Sequence, residues 1–305
     1  MGFYYWRSRA MPETMSSSPS DLADLRRRID EIDDRLHDSL AERAEIVSRV
    51  AISKKGGDVA FYQPAREAQI LRRLAARHRG MLPFATVVQI WRELLAATVR
   101  LETPFAVAVF APAEAHGFWD LARDHYGSLT PMSPCRSAGQ VIGAVNEGRA
   151  AVGILPLPQE GDPDPWWPHL LSPDEDAPRV IARLPFGARG NARSGADALA
   201  IGRGAQQETG ADRTFFAVEA AADISRPRFL ESLADSDLAC TFFTAWEHGD
   251  RAVNLIELDG FVPLSDPHLA CFRRQLGAAL HRLVPFGGYA LPMPAAALSA
   301  GAAKG

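Results

Sequence analysis

Between Leu22 and Val50, apolar residues return at alternating steps of three and four. They are Leu22, Leu25, Ile29, Ile32, Leu36 and Leu40, followed by Ile46, Val47 and Val50. That period marks one face of an α-helix. Ser20-Asp21 supplies an N-cap signal, and no glycine or proline intervenes before Gly56-Gly57. The expected element is a single helix of about 35 residues, roughly 50 Å long at 1.5 Å per residue. Short neighbours from the same chain cannot cover a stripe of that length. The sequence therefore predicts that a second copy packs against it in a dimer.

Two shorter helices follow. Pro64 opens the first at its leading position, with Ile70, Leu71 and Leu74 on one face and Gly80 as its stop. The second runs from Phe84 through Val87, Val88, Trp91, Leu94, Leu95, Val99 and Leu101, and ends before Pro104. Composition changes at this point. Residues 21–103 contain two prolines and three glycines, whereas residues 104–305 contain 18 and 20. Charge changes too, from 15 basic and 13 acidic residues in the first segment to 16 and 23 in the second. A helical domain over 21–103 and a turn-rich remainder are expected. Residues 1–20 read as a flexible tail and 293–305 as a disordered, small-residue tail.

The whole chain has 33 basic and 37 acidic residues, a net charge of −4, which excludes a broad nucleic-acid footprint. No apolar run is long enough for a membrane span. Cys135, Cys240 and Cys271 are odd in number and form no CxxC pair. That pattern argues against a disulfide framework or zinc site and fits a cytoplasmic protein.

Polar residues interrupt the apolar stripes. Arg43 stands seven residues after Leu36 and seven before Val50; Lys54 follows Val47 by seven. Glu67 precedes Leu71 by four, and Thr98 and Glu102 follow Leu94 at steps of four. Buried charge is costly unless paired or liganded. Interior ion pairs, Arg43 or Lys54 with Glu67 or Glu102, are one reading. The other is a single cavity of cations, a hydroxyl and carboxyls that suits a small hydroxylated dianion.

The run LRRRIDEIDDRLHDSLAERAEI, then Lys54, then QPAREAQIL and IWRELLAATVRLE, resembles the all-helical chorismate mutase family over residues 21–103. The resemblance implies an intertwined homodimer of three-helix chains and catalysis without metal or cofactor. It implies that Arg26 is contributed in trans and binds the enolpyruvyl carboxylate, while Arg43, assisted by Thr98, holds the ring carboxylate. Lys54 and a protonated Glu102, its pKa raised by burial, would donate to the ether oxygen. Glu67 would accept from the ring hydroxyl, with Arg66 and Gln63 lining the same pocket. Chorismate and prephenate are the implied substrate and product.

Residues 104–205 alternate short strands with helices, the strands being FAVAVF, AAVGIL, RVIARL and ADALAIG. Residues 206–292 read βαββαβ, a ferredoxin-like order. Together they resemble a prephenate dehydratase-like α/β domain followed by an ACT-like domain, with VNLIELDGF and LVPFGGYALP as the best local matches. The dehydratase family's Thr-Arg-Phe triplet reads Thr214-Phe215-Phe216 here, without its arginine. The expectation is a chorismate mutase with a non-catalytic regulatory or structural extension that could take an aromatic amino acid effector. The alternatives are a bifunctional chorismate mutase–prephenate dehydratase and a non-catalytic sensor of chorismate or an aromatic amino acid.

Overall fold

The computed structural model describes residues 19–54, 62–113, 117–172, 174, 176–190, 196–248 and 251–301. The chain divides into two compact units, Met1–Gly57 and Asp58–Gly305. The first unit is the helix α1, Pro19–Lys54, 36 residues long. Its length and start agree with the sequence period. Gly56, its expected stop, and residues 1–18 of the expected tail lie outside the described residues. The stripe is exposed on this helix: Ile29 keeps 56% of its surface, Leu36 58% and Ile46 52%.

The second unit opens with α2, Pro64–Arg77, and α3, Phe84–Glu102. Pro64 suits the helix start because the N–H it lacks would have no acceptor there. Both helices were expected within one helical domain ending at 103. Here they pack with the sheet that follows: α2 lies against β9, Leu280–Ala290, and α3 against α4, Phe118–Tyr126. Their apolar residues Ala68, Leu71, Phe84 and Val88 share a core with Phe186 and Met293.

The sheet has nine strands in the order β2-β1-β3-β5-β4-β9-β6-β8-β7. Its first half comprises β1 Val107–Phe110, β2 Met132–Cys135, β3 Val152–Pro156, β4 Arg179–Leu184 and β5 Ala198–Gly202. Helices α4 and α5, Ala138–Asn146, connect the parallel strands β1, β2 and β3. Buried side chains of α5 and Trp166-Trp167 form one core; Phe105, Leu121 and Tyr126 form another.

The second half comprises β6 Asp212–Ala221, α6 Arg226–Ala234, β7 Cys240–His248, β8 Arg251–Asp259, α7 Pro267–Leu276 and β9. Its strands run β9-β6-β8-β7, antiparallel throughout, which is the βαββαβ arrangement the sequence predicts. α6 and α7 cover one face through Phe229, Leu233, Leu269 and Phe272.

The expected domains 104–205 and 206–292 contribute to one sheet, joined where β4 meets β9 at Val180–Gly287. Gly287 has φ +95°, and a Cβ there would fall 2.1 Å from the Val180 carbonyl oxygen. Only glycine permits that approach.

Two elements differ from expectation. Helical spacing continues through the run PHLACFRRQLGAALHRL, yet α7 ends at Leu276, and Leu280–Leu283 already belong to β9, paired to β6. The tail from 293 is ordered as far as Gly301. Met293 is buried, Ala295–Leu298 form the short helix α8, and the Phe84 N–H donates to the Ala300 carbonyl at 2.9 Å. Small residues suffice there because a preformed apolar surface on α3 receives them. Residues 302–305 lie outside the described residues.

Candidate active site

The site residues expected on α1 belong to the first unit. Arg26 is exposed and Arg43 half-buried; Lys54 is the last residue of the helix, and its side chain lies outside the described residues. Because α1 is continuous, Arg26 and Arg43 lie about 26 Å apart along its axis and about a quarter turn apart around it. No small dianion can bridge that distance from one copy. Arg43 and Lys54 are about three turns apart on the same face.

In the second unit, Gln63 is the N-cap residue of α2 and Arg66 is exposed on its first turn. Thr98 is half-buried, with its hydroxyl donating to the Leu94 carbonyl at 2.9 Å. Glu102 ends α3 and is half-buried. The buried face of α3 is Phe84, Val88, Arg92, Leu95, Ala96 and Val99. Thr98 lies six residues beyond Arg92, roughly 240° around the helix, so it faces elsewhere.

Glu67 turns to that buried face. Its Oε2 accepts from Nη1 of Arg92 at 2.8 Å, and the two side chains retain only 11% and 4% of their surface. It forms an interior ion pair, and its partner Arg92 is not among the expected site residues. Arg92 follows Val88 by four and precedes Val99 by seven, so its place on the buried stripe was readable from spacing.

Other ionisable groups surround the pair. Burial raises the Glu67 carboxyl above its ordinary value of 4.5, and Arg92 opposes that shift. His125 of α4 is buried, and desolvation together with Arg92 holds it well below 6.5. The Tyr62 and Tyr126 hydroxyls meet at 3.3 Å. Both tyrosines are pushed above their ordinary value, chiefly by burial. The Arg92 guanidinium lies 5.1 Å from the Phe186 ring centroid. Such packing keeps a charge-assisted pair dry and fixes α2 against α3.

In the βαββαβ half, Thr214 is buried. Its hydroxyl donates to the Gly260 carbonyl at 2.9 Å and accepts from the Val262 N–H at 3.0 Å. Phe215, 3% exposed, packs against Phe286 and Tyr289. The position lacking the dehydratase arginine is therefore an apolar core position. Glu257 is buried nearby and accepts from the Tyr289 hydroxyl at 2.6 Å and the Thr241 hydroxyl at 2.7 Å. Among the described residues, no group of three or more His, Cys, Asp or Glu could hold a metal ion.

The arrangement is thus a long amphipathic helix with an exposed apolar stripe in the first unit, and two shorter helices followed by a mixed α/β sheet in the second. Residues 25–103 match the family model for chorismate mutase type II. Over 146 residues, 46% of this chain, the sequence is 30% identical to a bifunctional chorismate mutase/prephenate dehydratase of Stutzerimonas stutzeri. The chain spans 40% of that relative's length. Among solved structures, a prephenate dehydratase from Arthrobacter aurescens in complex with L-Phe aligns with a TM-score of 0.45 and 13% identity, over 62% of this chain and 92% of that one. The quorum quenching acylase GqqA aligns with a TM-score of 0.44 and 16% identity, over 61% of this chain and 94% of that one.

Proposed function

We propose that this chain is a chorismate mutase, acting as a homodimer in which α1 helices from two copies pack along their apolar stripes. The observation that carries the reading is the match of residues 25–103 to the chorismate mutase type II model. The exposed stripe on α1 supports the dimer, as does the distance between Arg26 and Arg43. A site that uses both arginines needs Arg26 from the partner copy.

Chorismate becomes prephenate by breaking a C–O bond and forming a C–C bond within one molecule. No nucleophile, base, metal or cofactor takes part. The protein must hold the folded conformer and stabilise negative charge on the ether oxygen. Arg26 and Arg43 clamp the two carboxylates, and Thr98 assists Arg43. Lys54 and Glu102 act at the ether oxygen. Arg66 and Gln63 belong to the pocket rim. Glu67, paired through Oε2 with Arg92, accepts from the ring hydroxyl. Losing one ether-oxygen donor should cost about 3–4 kcal/mol of barrier.

The sheet is a regulatory or structural extension in this reading. A second reading, a bifunctional mutase–dehydratase, is favoured by the relatives' printed activity and by a match longer than residues 25–103. The buried Phe215 speaks against it. Purified chain incubated with chorismate should form prephenate and then stop. Absence of prephenate would overturn the mutase reading, and conversion of prephenate to phenylpyruvate would establish the second.

A further inference from the structure

The Glu67–Arg92 pair uses one oxygen of the carboxylate. Arg92 Nη1 donates to Oε2 at 2.8 Å. Among the described residues no donor reaches Oε1, and that atom is not sealed from solvent: the Glu67 side chain keeps 11% of its surface. Arg92 is the deeper partner. Its side chain keeps 4%, its guanidinium lies 5.1 Å from the Phe186 ring centroid, and Val88 and Leu95 share the buried face of α3 with it. Packing fixes Arg92, and Arg92 in turn fixes Glu67.

Space and charge around the pair are also set. On the side of β4 only about 10 Å³ remains, beside His125, Ile181 and Arg183. That is room for about one water, so no ligand reaches the pair from there. The titratable groups facing the pair are Tyr62 ahead of α2, His125 and Tyr126 of α4, and Arg183 of β4. Burial raises the Glu67 carboxyl, and Arg92 opposes that shift through its charge and its hydrogen bond. Without Arg92 the carboxyl would take up a proton more readily, and a protonated carboxyl becomes a donor. The Glu67 N–H donates to the Gln63 carbonyl at 3.1 Å, which sets Gln63, a residue of the proposed pocket, one turn away.

We propose that Arg92 is a positioning residue of the mutase site: by gripping Oε2 it leaves Oε1 of Glu67 as the acceptor for the ring hydroxyl of chorismate. The inference rests on the mutase reading and on the contact between Glu67 and that hydroxyl; Arg92 itself touches no substrate. A guanidinium suits the task because its charge is permanent and its planar fork fixes direction as well as distance.

Steady-state kinetics on the full chain tests this with chorismate and with its analogue lacking the ring hydroxyl, whose binding is read as KM or as competitive inhibition. The hydroxyl contact exists in substrate and transition state alike, so weakening it raises KM more than it lowers kcat. Arg92→Gln should raise KM for chorismate about tenfold or more and move the acidic limb of kcat/KM to higher pH. Arg92→Lys should give a smaller rise, confined to chorismate. Adding Arg92→Gln to Glu67→Gln should cost nothing beyond Glu67→Gln alone. The analogue should bind the parent and both Arg92 variants equally. A merely structural role predicts another signature: less active protein, hence lower kcat at unchanged KM. Circular dichroism verifies folding, and Arg92→Lys carries the test if Arg92→Gln does not fold. Unchanged KM for chorismate in the folded Arg92 variants, equal penalties on chorismate and analogue, or additive effects of Arg92→Gln and Glu67→Gln would each overturn the inference and leave the mutase reading intact. No prephenate from the parent chain would overturn both.

Discussion

Glu67 of α2 and Arg92 of α3 form a 2.8 Å ion pair closed off from solvent, 25 residues apart in sequence. Removing one member leaves the other charged and buried, which typically costs about 3–5 kcal/mol. Glu67→Ala should destabilise the second unit by about that much, and Glu67→Gln by less. Replacing both residues by leucine should recover most of the loss. Urea unfolding of the four proteins measures this. A Glu67→Ala variant as stable as the parent would show that the pair contributes nothing.

The same cluster makes stability depend on pH in two opposed ways. Burial lowers His125 in the folded state from 6.5. Its contribution is thus complete above about pH 6.5 and is lost as pH falls toward the folded value. The Glu67 carboxyl is raised from 4.5, so its contribution is complete below that value and is lost as pH rises through the folded one. Melting temperatures between pH 4 and 8 should fall on acidification below about 6.5. His125→Gln should flatten that fall, and Glu67→Gln should flatten any opposing rise. Superimposable curves for parent and His125→Gln would contradict the assignment.

Arg72 ties α2 to the βαββαβ half. Its guanidinium donates to the Thr209 carbonyl at 3.2 Å, the Thr209 hydroxyl at 2.7 Å, and the Ala211 and Leu291 carbonyls at 2.9 Å each. Arg72→Ala would strand these acceptors at an expected cost of about 2–3 kcal/mol. Hydrogen exchange should accelerate at 205–212 and in α2 while α6 and α7 stay protected. Unchanged exchange at 205–212 would mean the clamp is not restraining that loop.

The stripe on α1 should govern assembly. Leu36, 58% exposed, and Ile29, 56% exposed, lie on it one heptad apart. Leu36→Lys or Ile29→Glu should convert a dimer to monomers in light scattering after size exclusion. Circular dichroism should then show lost helix, since most helical stability in proteins comes from packing of the amphipathic face. Monodisperse dimers from both variants would exclude the stripe as the interface.

Much of this was readable in the sequence where a period or a punctuation residue was strong. α1, the Pro64 start of α2 and the βαββαβ order followed from spacing, prolines and turns. β2 was missed because Met132–Cys135 is short, polar and at the sheet edge, with no apolar alternation to mark it. In the stretch 280–283 the leucines sit at helical spacing, yet pairing with β6 prevails once Gly277 ends α7. The Glu67–Arg92 pair was not legible because its members lie on different helices, and helical period fixes faces, not which faces meet.

The central claim is that each active site draws residues from two copies. Arg26→Ala and Lys54→Ala chains, each separately inactive, should regain prephenate formation when unfolded and refolded together. Half of the refolded dimers are mixed and each mixed dimer rebuilds one of its two sites, so activity should reach about a quarter of the unaltered protein. A mixture no more active than either variant alone would contradict the shared site.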